Sequence, residues 1–307
     1  MPTYYAFRLA LILARFLPRR VAYGICTLLG HLLFSFNRPA REVIELNMRR
    51  ALGRRLTPHR LRSSVRRVFI NLAKDYYELV LLSRVSREEV LELIDAEGLE
   101  RIHEALKAGK GVLVVFFHNT GFNLAAQLAL LDCWDAWVVA EPLQLRPMRE
   151  LVMRLRSTLG LKLIPADRTG MRQIVRALRS NCLVVLAGDR DVGGTGVTVQ
   201  LLGTCARLPA AAAALALRTG ATILPTHIYR TPGNRIKLRV GEAAACEDTG
   251  DFETDVRRVT QALASEFEAE LRRRPDQWVL VSPVWTACDD SNGRASTRSD
   301  LVGTRRR

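Results

Sequence analysis

His118 stands directly after the apolar, β-branched run GVLVVFF (111–117) and is followed by Asn119, Thr120, Gly121, Phe122 and Asn123. In open α/β sheets, reacting groups gather just past the C-terminal ends of strands. An imidazole at such a junction can act as a general base near neutral pH. A structural histidine is the plainer alternative there. The other four histidines are weaker candidates: His59 and His103 fall on helices, His31 in an apolar N-terminal segment, and His227 inside a strand. A second cluster, GDRDVGGTGVTV (188–199), also lies at a strand end. Asp189 and Asp191 flank Arg190, and Gly193, Gly194 and Gly196 read as a flexible loop. Its plainer reading is a turn. The GxxxxGK[ST] pattern is absent, so a nucleotide-phosphate cradle has no support. Arg154 and Arg156 precede the strand LKLIP (161–165) on a helix. They fit either a solvated face or an anchor for an anionic headgroup, because a guanidinium matches phosphate geometry.

The elements that must position these groups follow from apolar periodicity. GVLVVFF is continuously apolar and predicts a strand buried on both faces. Residues 121–131 predict a helix, 136–140 a strand, 146–159 a helix, 161–165 a strand and 169–180 a helix. Residues 182–189 predict a strand, 209–220 an Ala-rich helix, 221–229 and 234–242 two strands, and 251–274 a long closing helix. Strands alternating with crossover helices imply an α/β fold with a mostly parallel sheet flanked by helices. Before it, residues 37–90 continue as helix, with Pro58 at a helix start. The chain divides into an N-terminal helical region (1–90), an α/β domain (91–285) and a tail (286–307) without apolar periodicity, expected to be disordered.

The chain has 307 residues, 48% hydrophobic and 25% charged, a globular composition with room for a real core. Its net charge of +15 points to a polyanionic partner. Residues 1–70 hold 14 Arg against only Glu42 and Glu45, whereas residues 71–285 are nearly neutral. Charge concentrated in one segment argues against a nucleic-acid binder and for an anionic membrane. Residues 4–36 mix apolar runs with Arg8, Arg15, Arg19 and Arg20. The uncharged stretch 21–36 is shorter than the roughly 20 residues that cross a bilayer. One or two helices lying in the membrane interface fit better, with Arg side chains at phosphate level. Arg49, Arg50, Arg54, Arg55, Arg60, Arg62, Arg66 and Arg67 form either a solvated face or a second patch for anionic headgroups. The six Cys are scattered singly, without CxxC spacing. Free thiols in a reducing compartment are expected, with neither a disulfide framework nor a zinc site.

The order of these features is specific. A basic apolar N-terminus precedes strand-His-x4, then strand-DRD-Gly loop, then LLGTCARLPAAAAALALRTGATILPTHI, and RPDQWVLVSPVW closes the run. Over residues 1–285 this resembles the lipid A acyltransferase-like family of the glycerolipid acyltransferase superfamily. That family includes lauroyl/myristoyl lipid A acyltransferases and mycobacterial phosphatidylinositol mannoside acyltransferases. The resemblance implies transfer of an acyl chain from acyl-CoA or acyl-carrier protein to a lipid hydroxyl at the cytoplasmic face of the inner membrane. It implies no metal and no bound cofactor. The family motif is H-x4-D/E, whose His deprotonates the acceptor and whose carboxylate orients the His. Here it reads His118-x4-Asn123, which leaves three alternatives: Asp189 or Asp191 supplies the carboxylate, Asn123 suffices, or the protein is a catalytically silent lipid-binding relative. By position, Arg156 resembles the family's headgroup-phosphate Arg, and Asp191, beside Asp189 and Arg190, the acidic residue of its second block. Arg207 and Pro209 fall in the glycerolipid-binding loop. Phe117, Phe122 and Leu124 are candidates for an acyl groove or for ordinary core.

Overall fold

The computed structural model describes residues 16–141 and 146–288. The expectations for residues 1–15 and 289–307 lie outside the described residues. Three long helices come first: α1 (Arg19–Phe36), α2 (Arg38–Leu52) and α3 (Pro58–Leu81). A short α4 (Arg87–Leu91) leads to β1 (Ile94–Glu97), α5 (Leu99–Lys107), β2 (Val112–Phe116) and α6 (Phe122–Ala125). Then follow β3 (Ala136–Ala140), α7 (Arg146–Arg156), β4 (Lys162–Pro165), α8 (Arg168–Arg179) and β5 (Leu183–Ala187). The chain continues through β6 (Val197–Leu201), β7 (Thr204–Leu208), α9 (Ala211–Thr219), β8 (Thr222–Thr231), β9 (Arg235–Val240) and α10 (Phe252–Arg273). Seven strands form one sheet in the order β1-β9-β8-β2-β5-β3-β4. Every neighbouring pair in it is parallel except β8–β9. The α/β fold with a mostly parallel sheet is as the sequence implied.

β2 is buried at every position, and its two faces belong to two cores. Leu113, Val115 and Phe117 pack with Ile174 and Leu178 of α8, Val259 and Phe267 of α10, and Met48 and Phe69 of α2 and α3. Val112, Val114 and Phe116 pack on the other face with Ile102, Leu124, Ile236 and Leu238. The continuous apolar run therefore follows from helices covering both sides of the sheet. The helix starts are fixed by local chemistry. Thr57 caps α3 by accepting from the Arg60 N–H at 3.2 Å, with Pro58 at the first turn. Asp167 caps α8 by accepting from the Thr169 and Gly170 N–H groups.

Two expectations are corrected and one gap is filled. Residues 121–131 are not one α-helix: α6 gives way at Ala126 to a 3₁₀ stretch ending at Cys133. Leu124, Ala125, Leu128 and Ala129 are all buried, so packing rather than one apolar face sets the winding. Gly193, Gly194 and Gly196 do lie in a loop, and after them come two strands for which no element was expected: β6 pairs antiparallel with β7 around a Leu202–Gly203 turn at φ 55° and 79°. The cysteines are not all free. Cys205 and Cys288 form a disulfide, which residues 284–286 support by running alongside β7: the Arg207 N–H donates to Val284 O and the Thr286 N–H to Cys205 O. Residues 286–288 are thus ordered rather than part of a free tail.

Among the described residues, no helix is long and apolar enough to cross a membrane. α1 instead lies along α3, burying Ala22, Tyr23, Cys26 and Gly30 and leaving Val21, Ile25, Leu28, Leu29, Leu32, Leu33 and Phe36 exposed. Gly30 permits the close approach: a Cβ there would stand 2.5 Å from Ile70 Cα. Gly30→Ala should therefore destabilise the α1–α3 contact by about 1–3 kcal/mol. Urea unfolding with limited proteolysis of α1 would measure this, and an unchanged midpoint and cleavage rate would show that the contact does not form.

Candidate active site

The site is built where β2 and β5 end. These neighbours run parallel with Phe116 opposite Ala187, so residues two further along, His118 and Asp189, emerge side by side. Asp189 Oδ1 lies 2.6 Å from His118 Nδ1. Asp189 Oδ2 accepts from the His118 backbone N–H at 2.8 Å and from the Trp278 indole N–H at 2.9 Å. The carboxylate is 0% exposed and the imidazole side chain 24% exposed. An ionised carboxylate only accepts, so Nδ1 carries the proton and Nε2 is left as the basic nitrogen.

The strand-end turn is clamped by the segment after α10. The Val279 N–H donates to His118 O, and the Thr120 N–H donates to Gln277 O, both at 2.8 Å. Gln277 Oε1 accepts from the Arg230 N–H at 2.9 Å, which ties this segment to β8 as well. The PDQWV run (275–279) thus supplies both backbone partners for the turn and an indole for the carboxylate.

On its other side the turn rests on buried charges. Asp75 Oδ1 accepts from the Thr120 hydroxyl, the Gly121 N–H and Arg230 Nη2, each at 2.8 Å. Glu78 accepts from the Tyr23 hydroxyl at 3.1 Å and from Arg230 Nη1. Gly121 is at φ 86°, and a Cβ there would stand 2.2 Å from Ile236 Cδ1, so only glycine fits.

Asn123 is not the partner of His118. α6 turns its side chain toward α7, where Asn123 Oδ1 accepts from Arg156 Nε at 3.1 Å. The departure at residue 123 therefore does not leave the imidazole without a carboxylate. Arg156 is half-buried, lies 5.8 Å from the Phe122 ring centroid, and burial pushes its guanidinium down. Of the two carboxylates offered as the partner of His118, Asp189 is the one that meets it, and it is sealed behind the imidazole, out of reach of a substrate. Asp191 faces away from the imidazole: it accepts from the Gly196 N–H at 2.9 Å and pairs with Arg207 at 3.2 Å, while Arg207 also donates to Gly194 O. This closes the Gly loop onto β7, just before the half-buried Pro209. Arg190 pairs with Glu141 at 2.6 Å.

An apolar pocket is lined by Phe116, Phe122, Ile228 and Leu238, among others, and its two phenyl rings separate it from the imidazole. Phe122 meets the His118 ring edge-on at 5.4 Å. Phe117 and Leu124 do not line it: Phe117 stacks on Phe267 in the opposite core, and Leu124 is fully buried. Among the described residues no cluster could hold a metal ion. Trp278, Gln277, Asp75, Glu78 and Arg230 were not singled out from sequence. PDQW was visible there as a run, without the contacts it makes.

Burial pushes the Asp75 carboxyl up, with Arg230 pulling it down and Glu78 pushing it up, to about 7. Burial alone would push Arg230 down, but Glu78 and Asp75 more than offset that. A carboxyl with a raised folded-state pKa holds its proton more tightly when folded. Its stabilising contribution is full below about pH 4 and lost as pH rises through about 7. Asp75→Asn removes this slope. The unfolding free energy of the wild type, measured against Asp75→Asn, should fall between about pH 5 and about pH 8. A gap independent of pH would contradict the assignment.

Comparisons with known proteins give the family. The profile of the bacterial lipid A biosynthesis acyltransferase family matches residues 1–287. A phosphatidylinositol mannoside acyltransferase of Mycobacterium tuberculosis is 31% identical over 205 residues, 66% of this chain and 63% of that relative's length. One from Mycolicibacterium smegmatis is 27% identical over 238 residues, 76% of each chain. The crystal structure of the 1-acyl-sn-glycerophosphate acyltransferase PlsC from Thermotoga maritima superimposes at a TM-score of 0.40 and 15% identity, over 84% of this chain and 99% of that one. That likeness is too distant to bear on the chemistry. With the profile spanning nearly the whole described chain, both sides of the His118 turn included, the chain belongs to the bacterial lipid A biosynthesis acyltransferase family.

Proposed function

We propose that the protein is a membrane-associated acyltransferase that moves a fatty acyl chain from a thioester, acyl-CoA or acyl-carrier protein, to a hydroxyl of a glycolipid. The observation that carries the reading is the His118–Asp189–Trp278 arrangement beside both an apolar pocket and the Arg156 guanidinium. His118 Nε2 takes the proton as the acceptor hydroxyl oxygen attacks the thioester carbonyl. Asp189 holds the tautomer and balances the imidazolium. The tetrahedral intermediate collapses, the C–S bond breaks, and the leaving thiolate takes the proton back. No acyl-enzyme forms. Arg156, steered by Asn123, faces the headgroup phosphate. The pocket beside Phe122 takes the start of the acyl chain, with that ring turning aside to admit it. Relatives named phosphatidylinositol mannoside acyltransferases make a mannosylated phosphoinositide the first acceptor to test, ahead of a lipid A precursor.

Purified protein in anionic vesicles with acyl-CoA and both acceptors tests the chemistry. His118→Ala and Asp189→Asn should each slow transfer by about 10²–10⁴. Arg156→Ala should raise KM for the acceptor more than it lowers kcat. Transfer undiminished in His118→Ala would sink the mechanism.

The membrane face is read from α1. Its exposed stripe includes Leu28 at 60% and Phe36 at 83% exposure, with Arg19 and Arg20 at the helix start. That pattern fits a helix lying in the headgroup region of the cytoplasmic leaflet. Replacing Leu28, Leu32 and Phe36 together by Ser should release the protein from sedimented vesicles. Undiminished binding would mean that another surface docks.

A further inference from the structure

We propose that the cleft where α1, α2 and the start of α3 meet holds the phosphate of an anionic phospholipid, at a site separate from the one around His118. The cleft measures about 660 Å³ and is walled by Arg41, Arg49 and Arg62 against an apolar side of Phe34, Leu56 and Leu61. Three guanidiniums face one carboxylate, Glu45. Arg41 is committed: it donates to Phe34 O at 3.0 Å and lies 3.9 Å from Glu45. Arg49 and Arg62 have no carboxylate partner among the described residues. Arg62 is steadied over the Phe34 ring at 5.6 Å, and Arg41 lies 5.7 Å from the same ring. Two guanidiniums held on one aromatic ring, with a third beside them, give a positive concavity that a phosphodiester would neutralise. The N-terminus of α3, capped by Thr57, adds the positive end of its dipole at the same place.

The apolar wall makes the fit to a lipid better than to a free anion. Phe34 sits near the end of α1, whose exposed stripe runs from Val21 to Phe36. A phosphate in the cleft would lay its glycerol and acyl chains along Leu56 and that stripe. α1 and α3 are antiparallel neighbours: Tyr23 meets Glu78 at one end and Phe34 meets Phe69 toward the other. At 1.5 Å per residue, Arg62 lies about 20 Å along α3 from Asp75, which touches the catalytic turn. α1 thus runs from the Tyr23–Glu78 contact at one end to the basic cleft at the other. The two lipid contacts would fix the rotation of the protein on the leaflet, where a single amphipathic helix leaves it free to roll. This role rests on the membrane reading above.

The test uses the full chain, without acyl donor, so that absence of acyl transfer leaves its outcome untouched. Dihexanoyl phosphatidylglycerol, below its micellar range, is titrated calorimetrically. We expect saturable binding that weakens at least about tenfold in the Arg49→Gln/Arg62→Gln double variant and persists in Arg156→Ala. Dihexanoyl phosphatidylcholine and inorganic phosphate should each bind at least about tenfold more weakly than the phosphatidylglycerol. Both cleft arginines are exposed, so the double variant should keep its thermal midpoint. Binding that disappears in Arg156→Ala but survives in the double variant would place the lipid at the active site and overturn the proposal. Inorganic phosphate binding as tightly as the lipid would reduce the cleft to an anion site and overturn it. So would a double variant that binds the phosphatidylglycerol as tightly as the wild type.

Discussion

The Asp189 carboxylate is the constraint on which the site depends. A charge removed from water is tolerated only when its lone pairs are taken by donors. Here they are taken by the His118 ring, the His118 backbone N–H and the Trp278 indole. Those donors come from the end of β2 and from the segment after α10, while the acceptor follows β5. Three stretches of chain far apart in sequence must therefore be in register before this carboxylate can be buried. The parallel pairing of β2 with β5 does most of that alignment, and the C-terminal segment completes it.

The ion network of Asp75, Glu78 and Arg230 plays the matching role beneath the turn. It joins α3 to β8 and presents one carboxylate oxygen to both Thr120 and Gly121. Buried ion pairs are weak sources of net stability, but losing one partner is costly. The network therefore acts mainly on position: it holds the turn after His118 in one conformation. It also reaches α1 through the Tyr23 hydroxyl, so the helix with the exposed apolar stripe is mechanically continuous with the turn after His118.

Much of this was legible in the sequence. β2, β3, β5 and the long helices announced themselves by unbroken apolar runs or by three- and four-residue spacing. His118 stood out because a strand end is where chemistry collects. The carboxylate partner was harder. The family motif pointed to residue 123, with Asp189 and Asp191 as the alternatives; Asp189, 71 residues on, is the neighbour because of strand register, which local pattern does not encode. Trp278 was hidden for the same reason. β6 and β7 escaped notice because their turn uses Leu202 in a left-handed conformation instead of the usual Asn-Gly or Asp-Gly signal. The Cys205–Cys288 bridge has no local signature, since a single long-range pair looks like scattered thiols until β7 and the C-terminal segment lie together.

The position of the PDQW clamp also bears on how the protein is made. Residues 275–279 follow every strand of the main sheet, so they leave the ribosome after β2, β5 and β8 have already emerged. A nascent chain lacking them can form the sheet but leaves one oxygen of Asp189 without its indole donor and the His118 and Thr120 backbone groups without partners. Burial of the carboxylate is unfavourable in that state, which keeps the strand ends hydrated and the imidazole loosely held. Synthesis order thus delays the fixing of the His118 side chain until residues 275–279 have emerged. A growing chain whose first helices have already formed would until then hold His118 without the contacts that orient it.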